Sequence, residues 1–333
     1  MKRVGNLLER IASTDNLQEA FLRAVRGKAA KQEVVEFRQN LDERLLTMQR
    51  QLLDGTFHFG RYHFFTVYDP KRRTICAASF EERVAFHAMM RVCHPVFDDY
   101  QVYDSYASRQ GKGTYAALDR ALQYARRYRW FAKLDVRKYF DSIDHEVLLA
   151  QLCRLFKDAR LLLMFRDLVD SYHTDAGRGL PIGNLTSQYF ANHYLSPADH
   201  YAKEELRVAG LVRYMDDVLL FGDDKDVLLR QVDSWRRYVA ATLHLELHDA
   251  VVNRCRHGIP FLGYVVHPKG LRLNGRSRRR FRTKMHALDE AVEAGTMSQE
   301  EYAMRATCLH AFVRKARSDA FLRSVATEKR TRP

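Results

Sequence analysis

The stretch Leu211-Val-Arg-Tyr-Met-Asp-Asp-Val-Leu-Leu-Phe-Gly222 sets two apolar runs on either side of an adjacent pair of carboxylates, Asp216 and Asp217. Short apolar runs divided by a polar pair predict a β-hairpin with the acids at or near its tip. Like charges that close repel, and a bound divalent cation relieves the repulsion. An ordinary Asp-containing turn satisfies the same pattern, so the surrounding chain must decide.

Upstream, Trp130-Phe-Ala-Lys-Leu-Asp135 reads as an apolar strand ending in an acid, followed by a turn carrying Arg137 and Lys138. Asp144 is placed to cap the next helix, and residues 145–172 carry leucine-rich helical faces. Gly177-Arg-Gly-Leu-Pro-Ile-Gly-Asn-Leu-Thr-Ser-Gln188 is a glycine-punctuated loop that opens a helix running to about 209. After the hairpin come a helix over 226–243 and strand-like segments at 244–252 and 260–266. His244 and His248 are four apart but in a strand-like stretch, which does not align them as metal ligands.

Nearer the start, residues 5–53 have helical spacing that stops at Asp54-Gly55. Residues 56–68 are β-rich, Asp69-Pro70 marks a turn, and Lys71-Arg-Arg-Thr-Ile75 resumes a strand. That basic ribbon serves either as a triphosphate clamp or as a plain charged hairpin. A buried helix is expected over 80–97. Arg109-Gln-Gly-Lys112-Gly-Thr-Tyr115 leads into another helix through 127. It is not a P-loop, because Tyr106 stands where the first glycine belongs. A basic, glycine-rich loop at a helix N-terminus still suits a phosphate.

The totals narrow the class. The chain of 333 residues is 46% apolar, enough for a substantial core. No window resembles a membrane span or a signal peptide, so no membrane partner is expected. Five scattered cysteines without a CxxC pair argue for reduced thiols, a cytoplasmic setting and no zinc ribbon. Lys and Arg outnumber Asp and Glu by 55 to 41. Residues 269–333 hold 16 of those cations against 7 acids, a net +9 of the +14. Its densest run carries Arg276, Arg278, Arg279, Arg280, Arg282 and Lys284, with Phe281 interleaved, and suits a nucleic-acid backbone. An acidic centre inside a basic chain fits phosphate chemistry. Asp135, Asp216 and Asp217 make an all-oxygen set for Mg²⁺. Two such ions roughly 3.5–4 Å apart activate a 3′-hydroxyl and stabilise leaving pyrophosphate.

At these residues the chain resembles the reverse transcriptases. Tyr214-Met-Asp-Asp217 matches their YxDD box, and Phe131 to Ile143 matches the palm strand with its first catalytic aspartate. Leu180-Pro-Ile-Gly-Asn-Leu-Thr-Ser-Gln188 stands in the place of the LPQGxxxSP box, and Phe261-Leu-Gly-Tyr264 matches the hairpin leading to the thumb. The resemblance implies an α+β right-hand polymerase, with fingers, a palm built on an antiparallel sheet, and a helical thumb. Linear boundaries follow: an N-terminal helical segment at 1–55, fingers with part of the palm at 56–130, palm at 131–268 with 157–180 associated with the fingers, and thumb at 269–333. That thumb leaves no room for an RNase H or endonuclease domain.

The resemblance further implies that Asp135, Asp216 and Asp217 are catalytic and hold two Mg²⁺ ions, for which Mn²⁺ substitutes, with the Val136 carbonyl as an added ligand. Lys71, Arg72 and Arg73 match the fingertip that holds the dNTP triphosphate. Phe140 matches the gate against a ribose 2′-hydroxyl, its plain alternative being core packing. Ile182, Gly183 and Gln188 line the nucleotide. Tyr214 and Met215, with Arg109, Lys112 and the 276–284 cations, face the primer and the template RNA.

Two departures point to a subfamily. Ile182 replaces a glutamine and Gln188 replaces a proline, a form that resembles reverse transcriptases of diversity-generating retroelements, as does Tyr106-Ala-Ser-Arg-Gln-Gly-Lys-Gly-Thr114. Those bacterial or phage-encoded enzymes copy a template RNA with errors at adenines, beside a pentameric accessory protein. Retron, group II intron-like and phage-defence enzymes are the rivals within the class, and a non-catalytic RNA-binding protein is the rival outside it. No lysine occurs from 226 to 268, where many polymerases place a general acid, which leaves Arg254 as the stand-in for protonating pyrophosphate.

Overall fold

Capping and turn residues set the element boundaries. The computed structural model describes residues 2–68, 72–316, 318 and 321–325. Four helices open the chain: α1 (Leu8–Ile11), α2 (Thr14–Val25), α3 (Gln32–Gln39) and α4 (Leu41–Asp54). The last ends at Gly55, whose φ of 71° is the left-handed stop the sequence predicts. Strands β1 (Tyr62–Val67) and β2 (Arg73–Ala78) pair antiparallel, then α5 (Phe80–Tyr100) and α6 (Thr114–Arg127) follow. Ser79 and Glu82 form a capping box at α5, and Glu82, fully buried, also accepts the Gly60 and Arg61 amides.

Strand β3 (Trp130–Leu134) leads through α7 (Tyr139–Ser142), α8 (His145–Leu155), α9 (Ala159–Asp170), α10 (Leu185–Tyr194) and α11 (Ser196–His200). Asp144 caps α8 as expected, accepting the Val147 amide at 3.1 Å. The last helical stretch ends earlier than about 209, in a π-helical turn at Tyr201–Glu205. Then come β4 (Gly210–Tyr214), β5 (Asp217–Gly222), α12 (Lys225–Leu243), β6 (Val251–Arg254), β7 (Ile259–Phe261), β8 (Tyr264–His267), β9 (Gly270–Leu273), α13 (Gly275–Glu293) and α14 (Gln299–Arg314). The expected strand over 244–252 begins only at Val251. His244 takes a left-handed φ of 52°, which interrupts extended backbone.

The chain forms two compact units, each assembled from three stretches. The first holds residues 1–103, 135–206 and 234–248. Its core is aromatic, with Phe97, Phe156, Phe165 and Phe190 packed edge to face. The second holds residues 104–134, 207–233 and 249–333. It contains a four-stranded antiparallel sheet in the order β4-β5-β3-β6 and a three-stranded sheet β7-β8-β9. Helix α6 packs on β4 and β8, burying Leu118 and Tyr124 beside Phe131 and Phe221. In the β7–β8 turn Leu262 and Gly263 both have positive φ, 46° and 86°, the two-residue geometry that matches strand twist. Helix α13 is anchored there: Ser277 Oγ donates to the Gly263 carbonyl at 2.7 Å, and Tyr264 Oη donates to the Phe312 carbonyl of α14 at 2.7 Å. Among the described residues, no helix is long and apolar enough to cross a membrane.

Candidate active site

The β4–β5 hairpin forms as its sequence dictates. Leu211, Val212 and Val218 to Phe221 are fully buried, and Tyr214 pairs with Asp217 across a turn of only Met215 and Asp216. Met215 holds a left-handed φ of 56°, strained for an unbranched apolar residue. Such strain persists only where the surroundings enforce it. Here they do. Arg213 is wholly buried, donates from Nη1 to the Met215 carbonyl at 3.2 Å, and is clasped by backbone bonds to Asp104 and Tyr106.

The segment that clasps it is itself pinned. The Asp104 carboxylate, 4% exposed, accepts Arg120 Nε at 2.8 Å and the Tyr124 hydroxyl at 2.9 Å. Burial first, then the Asp104 charge, pushes the Tyr124 phenol up to about 12, so it stays a donor. Tyr106, which rules out a P-loop, is buried here, with Lys112 Nζ 4.9 Å over its ring and its hydroxyl on Asp104. Arg109 folds back on the Ser105 carbonyl. At the start of α6, Thr114 Oγ1 donates to the Tyr214 hydroxyl at 3.2 Å. The basic loop and the Tyr-Met-Asp-Asp box are therefore neighbours.

Asp216 and Asp217 are half-buried. Lys133, on the adjacent strand β3, places Nζ 3.2 Å from Asp217 Oδ1. The β3–β5 register ends with Leu134 opposite Val218, and Asp135 is the next residue along the chain. Asp135 belongs to the first unit and the Asp216–Asp217 pair to the second. Within the first unit, the Asp135 carbonyl accepts the His248 amide at 3.0 Å and the Arg137 amide donates to Glu246. That bridge does not engage the Val136 carbonyl. The His248 ring lies 4.0 Å from Asp135 Oδ2, while His244 Nδ1 sits 3.0 Å from Asp144.

The loop at 180–188 contacts β2. Ile182 gives its carbonyl to the Cys76 amide at 2.8 Å, and Asn184 Oδ1 accepts the Ala78 amide. Asn184 therefore makes no side-chain cap on α10. Gly183, at φ 119°, has Ile75 and Cys76 where a Cβ would stand, so its close neighbour here is a strand. Phe140 is half-buried beside the buried Tyr139, and Gln188 lies on the exposed face of α10. Arg72 and Arg73 are exposed at the start of β2, while Lys71 lies outside the described residues. On α13, Arg276, Arg278, Arg279 and Arg280 are exposed, and Arg282 and Lys284 are half-buried.

Arg254 does not suit the role of proton donor near the acids. Its guanidinium lies 5.2 Å over Trp130, which pairs with Arg254 and Gly222 at the opposite end of the sheet from Asp217. Five residues of strand separate those ends, ~15 Å at the usual rise. Reading the sequence alone also passes over Lys133, Asp104, Arg120 and Arg213. Lys133 and Arg213 leave a local sign, a cation inside an otherwise apolar strand.

Among the described residues, no group of three or more His, Cys, Asp or Glu is gathered as a metal cluster. The donors nonetheless fit a hard cation. Mg²⁺ takes one or two carboxylates and completes its shell with water and substrate phosphate. Asp217 already faces an ammonium group, which marks it as a position that accepts positive charge.

A sheet that presents adjacent carboxylates on a strained hairpin turn, followed by the arginine-rich α13 and then α14, has the architecture of the right-hand polymerase fold. Residues 69–266 match the family model described as reverse transcriptase (RNA-dependent DNA polymerase), and the chain belongs to that family. Protein YkfC of Escherichia coli (strain K12) is 25% identical over 221 residues, covering 61% of this chain and 58% of that protein. Group II intron-encoded protein LtrA of Lactococcus lactis subsp. cremoris is 24% identical over 236 residues, covering 60% of this chain and 39% of its own length. The chain thus spans less than two thirds of these relatives. A solved telomerase from Candida tropicalis, in complex with a TWJ fragment of telomeric RNA, superposes with a TM-score of 0.51. That match has 11% identity over 83% of this chain and 55% of the other, a likeness of fold alone.

Proposed function

We propose that this chain is an RNA-directed DNA polymerase that adds dNTPs to a primer 3′-hydroxyl on a template RNA. The observation that carries the reading is the Asp216–Asp217 pair, held on an enforced turn next to the strand that runs into Asp135. Asp135, Asp216 and Asp217 would hold two Mg²⁺ ions, with the Val136 carbonyl free of the neighbouring bridge to assist. Bound there, the ions supply Lewis-acid activation of the 3′-hydroxyl and charge neutralisation on the leaving pyrophosphate. The chain's own residues orient the reactants. Tyr214, fixed by Thr114, would sit at the primer end, Arg72 and Arg73 would hold the triphosphate, and Phe140 would test the sugar. The exposed arginines of α13 would track the nucleic-acid backbone.

The finer reading is error-prone copying in a diversity-generating retroelement, in a bacterial or phage-infected cytoplasm and with a pentameric accessory protein. Its support is Ile182 and Gln188. An apolar side chain at 182 cannot offer a hydrogen bond to the nucleotide, so selection would rest on pairing and shape. The match to LtrA favours a group II intron-type enzyme as the second reading. One assay addresses both levels: primer extension on an RNA template with Mg²⁺, followed by sequencing of the product. Extension that persists in Asp216→Asn would overturn the two-metal assignment. Errors concentrated at template adenines are expected, and errors spread evenly over the four bases would instead favour the intron-type reading.

A further inference from the structure

We infer that the second unit carries another RNA site, a basic cavity that takes the sugar–phosphate backbone of a folded RNA at a distance from the hairpin acids. The cavity has a volume of about 770 Å³ and lies between α6, the β8–β9 turn and the residues after α14. Among the described residues, Arg126, Arg256, Lys269, Arg272 and Lys315 line it against a single carboxylate, Asp119, five cations to one anion and a net +4.

Two bonds build its walls. Arg126 Nε donates to the Pro268 carbonyl at 3.0 Å, tying the end of α6 to the β8–β9 turn. Lys315 Nζ meets both Asp119 carboxylate oxygens, at 2.7 and 2.8 Å, tying the chain after α14 to the same helix. The lone anion is thereby matched by one cation. Arg256, Lys269 and Arg272 are exposed on two further elements and keep their charge turned to solvent.

Cations spread over separate elements of a wide cavity suit successive phosphates better than one small anion. No Phe, Tyr or Trp is among the described residues that line the space, and the nearby Tyr115 ring lies under Lys315 Nζ at 5.6 Å, so the lining offers no open ring to stack a base and read it. Backbone contacts of this kind position a nucleic acid without selecting its sequence. The chain's family handles RNA, and a folded RNA is the polyanion that presents closely spaced phosphates in a fixed arrangement. The site is distinct from the hairpin. Thr114 at the start of α6 meets Tyr214, whereas the α6 residues that line the cavity, Asp119 to Arg126, lie five to twelve residues further along. At the helical rise that is about 8–18 Å.

The test uses the full chain and two probes, a stem–loop RNA and a short unstructured primer–template, with binding measured across a salt series. Lys269 and Arg272 are reversed together to Glu. Each lost phosphate contact lowers the magnitude of the salt slope by about 0.7–0.9, so a drop of roughly 1.5 is expected for the stem–loop. Its affinity at ~0.1 M salt should fall by about tenfold or more, while extension of the short primer–template is unchanged. Arg256→Glu, on a different element, should act in the same direction and covers the case in which the turn variant fails to fold. An unchanged stem–loop affinity would overturn the inference. So would an equal loss on both probes, which would merge the cavity with the primer–template path. Displacement of the stem–loop by millimolar inorganic phosphate would also overturn it, leaving a small-anion site.

Discussion

Lys133→Met should make the acidic turn bind divalent cations more tightly. In the protein as folded, the Lys133 ammonium lies 3.2 Å from Asp217 Oδ1, with the two side chains 27% and 30% exposed. The bare attraction at that distance is ~1.3 kcal/mol in water and ~5 kcal/mol at an effective dielectric of 20. Partial exposure and side-chain entropy pull the net value toward the lower end, about 1 kcal/mol. A cation on Asp217 must displace that ammonium or sit beside it, so Lys133 opposes metal binding by about this amount. Methionine keeps the length and apolar stem of the side chain and removes the charge. Mn²⁺ binding to the protein without nucleic acid, followed by the EPR signal of free Mn²⁺, should then tighten about fivefold at low salt. The gain should shrink as salt rises, because exposed charges are screened. Affinity that is unchanged or weaker at low salt would refute the reasoning and make Lys133 a support for the Asp217 side chain.

Gly183→Ala should lower thermal stability by about 1–3 kcal/mol, because the backbone holds a φ suited to glycine. The new Cβ would also stand 2.9 Å from Ile75 Cγ2 and 3.3 Å from the Cys76 carbonyl. A variant that melts with the parent would show that β2 yields easily. Asp144→Ala should cost about 1–2 kcal/mol through loss of the α8 cap. Burial raises the Asp144 carboxyl, but bonds from His244 and the Val147 amide outweigh it and hold the group below the usual aspartate value. A depressed carboxyl contributes stability above its unfolded value and loses it as pH falls through the folded one. Urea midpoints of parent and variant should therefore converge in acid, and a gap independent of pH would refute the ionic part of the cap.

Much of the fold was legible because its signals are local. The apolar runs on each side of Asp216-Asp217 are short, continuous and divided by a polar pair, the local pattern of a buried hairpin. Gly55 and Asp144 stop and start helices through bonds within four residues. The segment at 244–252 read poorly for the opposite reason. Its extended character depends on a bridge from Leu247 to Val136, over a hundred positions away. Arg254 misled in the same way, since a sequence does not say which end of a strand its neighbour occupies.

By itself, then, the sequence determined the chemistry on offer: an adjacent acid pair on a hairpin, a further acid ending a strand, a basic C-terminal fifth, and an isoleucine where the family places glutamine. Those are properties of residue type and spacing, carried along the chain. Tertiary structure alone decided what holds the pair in place and what competes for it. Arg213 is buried because a segment a hundred residues upstream clasps its backbone, and Lys133 meets Asp217 because β3 and β5 share a register. Gly183 likewise answers to a strand from the other side of the sequence. Contacts of that kind arise only when distant segments are packed together, and no local pattern encodes them.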